Sequence, residues 1–207
     1  MNNATIKQSN NLPAQSPLVV IELLQVGPVK LEKNRLVMPY TITQNGEVQT
    51  NELIYKYEEP VFDPASPTDQ NVASMIGAQL ALNYGLFCEK IVFDGLFDAT
   101  DQRFLRDMME NTSREILVHK IWQPTVFLKG EARNLPVAQQ KRYTKAVVTF
   151  ANTAFENSQL EWKFWENDPF KHCVLSSGGK DSLVGYGMLK EIGMDVHPIF
   201  GNESGRH

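Results

Sequence analysis

The pattern of apolar and polar positions is strand-like from Leu18 to about Val61. VVIELLQV is a β-branched apolar run and RLVMPYTIT alternates, and both patterns predict strands. Asn45-Gly46 lies between two alternating runs, where this dipeptide is typical of a tight hairpin turn. We therefore predict an antiparallel β-unit over residues 18–62 with a hairpin at Asn45-Gly46.

A helical pattern follows the segment DPASPTDQ, residues 63–70, in which two prolines interrupt the strand pattern. Thr68 or Asp69 is the expected N-cap, because a short polar side chain can accept hydrogen bonds from free amides of the first turn. In the run NVASMIGAQLALNYGLFC, helical spacing places three apolar side chains on one stripe, beside Ala73. These are Val72, Ile76 and Leu80.

The central part of the chain combines one short strand with a charged helical stretch. KIVFDGLF predicts a buried strand, and Asp98 begins one or two helices that run to HKIW. ARNLPVAQQ is expected to be a loop, whereas KRYTKAVVTFANTAF is too β-branched for a firm assignment. Trp162, Phe164 and Trp165 are expected to pack at a domain junction.

The last part of the chain shows the change of period that is typical of a βαβ unit. Residues 173–176 are predicted as a strand, 177–181 as a turn, and 182–192 as a helix. Gly193 ends the helix, and DVHPIF begins a second strand. A glycine pair at a strand-to-helix turn leaves helix amides free to bind an anion.

Composition and charge argue against several classes of protein. The chain has 207 residues, a length that suffices for one large or two small domains. Its net charge of −4 argues against a nucleic-acid binder that ignores sequence, because such proteins are normally basic. Residues 1–17 are polar and predicted to be a disordered tail. We find no signal-peptide core and no run of about 18 apolar residues, and we expect a cytoplasmic protein without a membrane span. Cys88 and Cys173 are expected to be reduced and buried, with no zinc motif.

The run SSGGKDS raises three alternatives: a turn without chemistry, a kinase-type phosphate loop, or a different nucleotide loop. The kinase-type loop is excluded, because Asp181 follows the lysine and Val174 stands where the first glycine of that motif is required. The dinucleotide fingerprint is excluded as well, because Gly178 and Gly179 are adjacent.

The remaining run, Ser177 to Ser182, resembles the SGGxDS signature of the PP-loop, or N-type ATP pyrophosphatase, family. The resemblance implies an α/β fold with a doubly wound, HUP-like parallel sheet. It also implies ATP and Mg²⁺ as cofactors, cleavage between the α- and β-phosphates, and transfer of AMP to an oxygen of the substrate. All six residues would hold the nucleotide: Ser177, Gly178, Gly179, Lys180, Asp181 and Ser182.

The resemblance also implies a role for each residue of the loop. The amides of Gly178 and Gly179 would hold pyrophosphate, and the hydroxyls of Ser177 and Ser182 would donate to its oxygens. As the catalytic residues, Lys180 would neutralise charge on the leaving group and Asp181 would help to hold Mg²⁺. Three residues after the second strand are candidates for contacts with the substrate: Asn202, Glu203 and Arg206.

Residues 30–207 loosely resemble one branch of this family, the ATP-dependent UDP-N-acetylmuramoyl-L-alanyl-L-glutamate epimerase of peptidoglycan synthesis. Its substrate carries a carboxylate, and conversion to a mixed anhydride would make the α-proton removable by a modest base, for which His197 is a candidate. Ser177 departs from that enzyme, which has glycine there. We predict an α+β domain over residues 18–165 and the beginning of the ATP-binding domain over 166–207.

Two other classes of function stay open. One is a PP-loop RNA-modifying or amide-forming ligase, although the acidic charge argues against a nucleic-acid partner. The other is a non-catalytic nucleotide-binding module. The 207 residues contain only the first βαβ unit of the predicted doubly wound sheet, so we expect that they do not turn over ATP by themselves.

Overall fold

A computed structural model describes residues 16–123, 128–153 and 167–200 of the chain. The chain divides into two compact units, residues 1–161 and 162–207. Each unit contains both strands and helix, so the protein belongs to the mixed α/β class that the sequence predicts.

Several predictions from the sequence concern residues outside the described ranges. The predicted tail lies there except for its last two residues. The predicted boundary after residue 165 and the aromatic tract also lie there, as do the three candidate substrate residues that follow the last strand. These stay predictions.

Six strands form one sheet in the described part of the first unit. They are β1 (Ile21–Val26), β2 (Lys30–Glu32), β3 (Arg35–Gln44), β4 (Glu47–Lys56), β5 (Cys88–Asp94) and β6 (Val147–Ala151). Their order is β2-β3-β1-β5-β6, and β4 pairs with β3. The segment that could not be assigned from the sequence therefore contributes β6.

The predicted hairpin is confirmed. β3 and β4 pair antiparallel over their whole length, and Asn45 and Gly46 form the turn with φ values of 51° and 75°. Two positive φ values are what a type I′ turn requires, which explains the Asn-Gly pair. The prediction of an antiparallel β-unit over residues 18–62 is also confirmed, because all strand pairings within this range are antiparallel. Outside the range, β1 pairs in parallel with β5, which the sequence analysis did not predict. The hairpin therefore belongs to a mixed sheet.

Helix α1 (Pro67–Ala78) begins at an N-cap that differs from the prediction. The hydroxyl of Ser66 accepts a hydrogen bond from the amide of Asp69 at 3.3 Å, so neither Thr68 nor Asp69 is the cap. The reason is Pro67, which lacks an amide hydrogen and is favoured at the first helical position, directly after the cap.

The predicted apolar stripe of α1 is also wrong. The helix buries small residues (Ala73, Ser74, Gly77 and Ala78), whereas Leu80 lies in the following 3₁₀ segment and is 44% exposed. A Cβ atom at Gly77 would overlap the side chain of Met38 on β3. Small residues therefore let this helix approach the sheet closely, and a search for large apolar side chains misses the buried face.

Helix α2 (Ala99–Ile116) begins at Asp98, as predicted, and continues into a π-helical turn, Leu117–Ile121. It packs its buried face, which includes Leu105 and Met109, into the core beside the sheet. Short 3₁₀ segments, Gln79–Tyr84 and Gly130–Asn134, connect the larger elements. The side chains at the centre of the core are Leu24, Val26, Met38, Ile91, Phe93 and Phe97.

The second unit contains the predicted βαβ arrangement. β7 (Lys171–Ser176) and β8 (Asp195–Phe200) pair in parallel, and α3 (Lys180–Glu191) connects them. The helix begins two residues before the predicted start at Ser182. The prediction that both cysteines are buried is wrong for Cys173, which is exposed on β7, although Cys88 is buried on β5 as expected.

Candidate functional site

The candidate site is the turn between β7 and α3, which residues 177–179 form. Gly178 has a φ of +76°, a conformation that L side chains rarely adopt. A Cβ atom there would have no heavy atom of other residues within 4 Å, so the backbone faces open space on that side. Glycine is therefore needed at this position for its conformation, and the turn stays accessible.

The N-terminus of α3 offers free amides. Gly179 is the N-cap, and no side chain caps it. In the first intrahelical hydrogen bond, the amide of Leu183 donates to the carbonyl oxygen of Gly179 at 3.2 Å. The amides of residues 180–182 precede this bond, and the helix dipole adds positive potential where they lie. This end of the helix therefore favours an anion such as a phosphate.

Ser176, the last residue of β7, has a role that the sequence analysis missed. Its hydroxyl oxygen accepts a hydrogen bond from the amide of Gly178 at 3.2 Å and lies 3.3 Å from the hydroxyl oxygen of Ser182. The amide of Gly178 was expected to hold pyrophosphate, but it has this internal partner in the structure. A serine two residues before a glycine is a signal for such a turn, and it was present in the sequence.

Ser182 also makes a contact inside the loop. Its hydroxyl donates to the carbonyl oxygen of Gly179 at 2.9 Å, within the first turn of α3. A phosphate would therefore have to compete with this acceptor for the hydroxyl hydrogen. The geometry makes the free amides of the helix better candidates for phosphate contacts than the hydroxyl of Ser182.

Lys180 and Asp181 are the first two residues of α3, and both side chains are exposed. The helix thus presents one ammonium and one carboxylate group beside the free amides. Within residues 16–123, 128–153 and 167–200, no group of three or more His, Cys, Asp or Glu side chains is arranged to hold a metal ion. One carboxylate is nevertheless compatible with Mg²⁺ that arrives with a nucleotide, since Mg²⁺ often binds through one or two carboxylates together with phosphates and water.

The candidate base, His197, does not lie at the turn. His197 pairs with Cys173 in the middle of the two-stranded sheet, whereas the turn begins after the end of β7. The Nε2 atom of His197 lies 3.1 Å from a carboxylate oxygen of Asp195, so the ring has a partner on its own strand. Nothing in this arrangement supports His197 as the base.

Comparison with known proteins does not assign the chain to a family. No family model matches the chain, and no curated protein or solved structure is significantly similar to it. Among the helices of the described residues, none is both long enough and apolar enough to cross a membrane. The functional assignment therefore depends on the loop itself.

Proposed function

We propose that the segment Ser177–Ser182 binds the phosphates of ATP, and that the protein adenylates a carboxylate of its substrate with release of pyrophosphate. The observation that carries the proposal is the complete Ser-Gly-Gly-Lys-Asp-Ser run between a parallel strand and an uncapped helix N-terminus. The sequence motif and the local backbone support the same kind of ligand independently, because free amides at a helix N-terminus bind phosphates in many proteins.

Each part of the loop would have its own role in binding ATP. The amides at the start of α3 would bind phosphate oxygens, and the conformation of Gly178 would keep the turn open toward the ligand. Lys180 would place a positive charge beside the phosphates, and Asp181 would contribute a ligand to Mg²⁺. ATP, when bound, supplies the AMP group and the pyrophosphate leaving group.

The finer proposal concerns the substrate. UDP-N-acetylmuramoyl-L-alanyl-L-glutamate is the first candidate, through the loose resemblance to the epimerase branch, and inversion at its glutamate is the expected outcome. Amide formation and modification of RNA are the alternatives within the same chemistry. The acidic net charge of −4 favours a small acid over RNA as the partner.

Binding tests the phosphate site first. Titration of the 207-residue chain with Mg²⁺ and either ATP or pyrophosphate should show saturable binding by calorimetry. Lys180→Ala should weaken it at least about tenfold, since a charged contact to phosphate is lost. Lys190→Ala is the matched control, because Lys190 lies in the last turn of the same helix and should leave the affinity unchanged.

Turnover with Mg²⁺, ATP and the candidate substrate tests the reaction itself. AMP and pyrophosphate are the expected products, and Lys180→Ala and Asp181→Ala should each lower the rate roughly a hundredfold, about 3 kcal/mol in the transition state. Formation of ADP and phosphate would contradict the proposal. Formation of AMP only with another acid, or with tRNA, would remove the epimerase assignment and leave the adenylation proposal in place.

A further inference from the structure

A cavity of about 530 Å³ opens in the first unit, beside α2 and the start of β6. Its polar lining comes from Arg106 and Glu110 of α2 and from Lys141, Arg142 and Thr144 of the segment before β6. The first two residues of β6, both valines, complete the lining with apolar surface. The volume is within the range of pockets that hold small molecules.

The charges in this cavity are unequal: three cationic side chains face one carboxylate. The Glu110 carboxylate is already engaged, because it accepts hydrogen bonds from the amides of Tyr143 at 2.6 Å and Thr144 at 2.9 Å. Partial burial works to raise its pKa, but these hydrogen bonds and the nearby positive charge of Arg142 together hold the pKa below its usual value. Glu110 therefore stays ionised at neutral pH and ties the basic segment to α2, and the lining keeps an excess of two positive charges.

Two of the cations are held in place before any ligand arrives. The guanidinium carbon of Arg106 lies 4.7 Å from the centre of the Phe150 ring, a cation–π contact. An Nη atom of Arg142 donates to the carbonyl oxygen of Ala146 at 3.1 Å. Within the described residues, neither arginine forms a close ion pair with a carboxylate. Cationic donors that are already positioned lose less conformational entropy on binding an anion than mobile donors would.

From this combination we propose that the cavity is a binding site for a small molecule with a phosphate or carboxylate group. Arg106, Lys141 and Arg142 would bind the anionic group, and the apolar part of the ligand would lie against the valines at the start of β6. A fork of guanidinium donors suits both kinds of anion. The proposal concerns the first unit alone and does not depend on the loop after β7.

Three small probes of similar shape test the site by calorimetry on the 207-residue chain: phenyl phosphate, benzoate and the neutral benzyl alcohol. We expect saturable binding of at least one anion with a dissociation constant of about 1 mM or tighter, and no saturable binding of the alcohol. The comparison of phenyl phosphate with benzoate shows which anion the site prefers. Absence of saturable binding for both anions would overturn the proposal.

Variants then locate the site. The double variant Arg106→Gln/Lys141→Gln should weaken binding of the preferred anion at least about tenfold. Arg103→Gln is the matched control, because Arg103 lies one turn earlier on α2, is exposed and is not among the lining residues. The affinity of this variant for the anion should stay within about twofold of that of the unchanged chain. Equal affinity of the double variant and the control would overturn the proposal.

Thermal unfolding of each variant shows whether the fold is intact. Should the double variant not fold, the single variant Lys141→Gln replaces it, since that exposed side chain makes no contact in the core. Its binding of the anion should weaken severalfold, and rising salt should weaken binding by the unchanged chain as well. An affinity that responds neither to Lys141→Gln nor to salt would contradict an anion site here.

Discussion

Gly27 follows β1 and lies beside Asp94, the last residue of β5. It has a φ of +100°, and a Cβ atom at this position would overlap the backbone carbonyl of Asp94. Its amide donates to the carbonyl oxygen of Pro39 at 2.9 Å. The backbone is held on both sides, so neither the conformation nor the close approach can relax easily.

Gly27→Ala should destabilise the first unit by about 3 kcal/mol or more, because a backbone clash adds to the cost of a positive φ. Gly46→Ala is the matched control, with a φ of +75° but no neighbouring atom within 4 Å, and it should cost only about 1 kcal/mol. Urea unfolding of both variants, followed by far-ultraviolet circular dichroism, measures the difference. Equal losses would show that the close approach at Gly27 contributes nothing.

Burial changes the titration of two side chains in the core. It raises the pKa of the Cys88 thiol from 9.0 to about 12, and it raises the pKa of the Tyr40 hydroxyl well above its ordinary value of 10.0. The Tyr40 hydroxyl also donates to the carbonyl oxygen of Gly77 at 2.5 Å. Both groups keep their protons in the folded chain at pH values where the unfolded chain has released them.

The free energy of unfolding should therefore fall as the pH rises from about 9 toward 12, because the unfolded state binds fewer protons than the folded state in this range. The contribution of Cys88 to the free energy of unfolding is fully present below pH 9 and is lost as the pH approaches 12. Urea unfolding at several pH values measures the slope, which should be smaller for Cys88→Ala. An identical slope for Cys88→Ala would show that this thiol does not contribute.

Helix α2 begins with a reciprocal pair of hydrogen bonds. The Asp98 carboxylate accepts from the amide of Asp101 at 2.8 Å, and the Asp101 carboxylate accepts from the amide of Asp98 at 3.0 Å. Asn71 of α1 donates to the Asp101 carboxylate, so the start of α2 is tied to α1. Partial burial raises the pKa of Asp101, which these hydrogen bonds partly offset.

Asp98→Ala should cost about 1–2 kcal/mol, because the amide of Asp101 loses its partner in a buried position. Asp107→Ala is the control: it removes the same charge from an exposed position in the middle of α2 and should change stability by less than about 0.5 kcal/mol. Chemical denaturation of both variants provides the comparison. A loss for Asp107→Ala as large as that for Asp98→Ala would contradict the capping role.

The two compact units differ in how much apolar surface they bury. The first has an extended core around the sheet. In the described part of the second, Val196 is the one buried apolar side chain, whereas Leu175 is 79% exposed and Leu183 60%. Helix α3 contacts both strands, but parallel sheets are normally covered on both faces.

Backbone amides of β7 should therefore exchange with solvent at least about a hundredfold faster than those of β5, because local opening exposes little additional apolar surface. Hydrogen exchange followed by mass spectrometry compares these two parallel strands within one molecule. Equal protection of β5 and β7 would mean that the apolar surface of the second unit is covered in solution.

Local interactions explain which parts of the fold were predictable from the sequence. The hairpin at Asn45-Gly46, the start of α2 at Asp98, and the βαβ order around the glycine pair each depend on a few neighbouring residues. Turn conformation, capping and hydrophobic period act over short distances along the chain, so the residue types alone indicate the structure.

Contacts between distant segments decided the parts of the fold that could not be predicted from the sequence. Residues 147–151 become a strand by pairing with β5, more than 50 positions earlier, and β1 joins the hairpin to the parallel part of the sheet. The buried face of α1 consists of small residues and is recognisable only from its packing against Met38. The basic cavity is lined by α2 and by the segment before β6, whose amides donate to Glu110. The free energy of such contacts depends on partners far apart in the sequence, which periodicity and local motifs do not record.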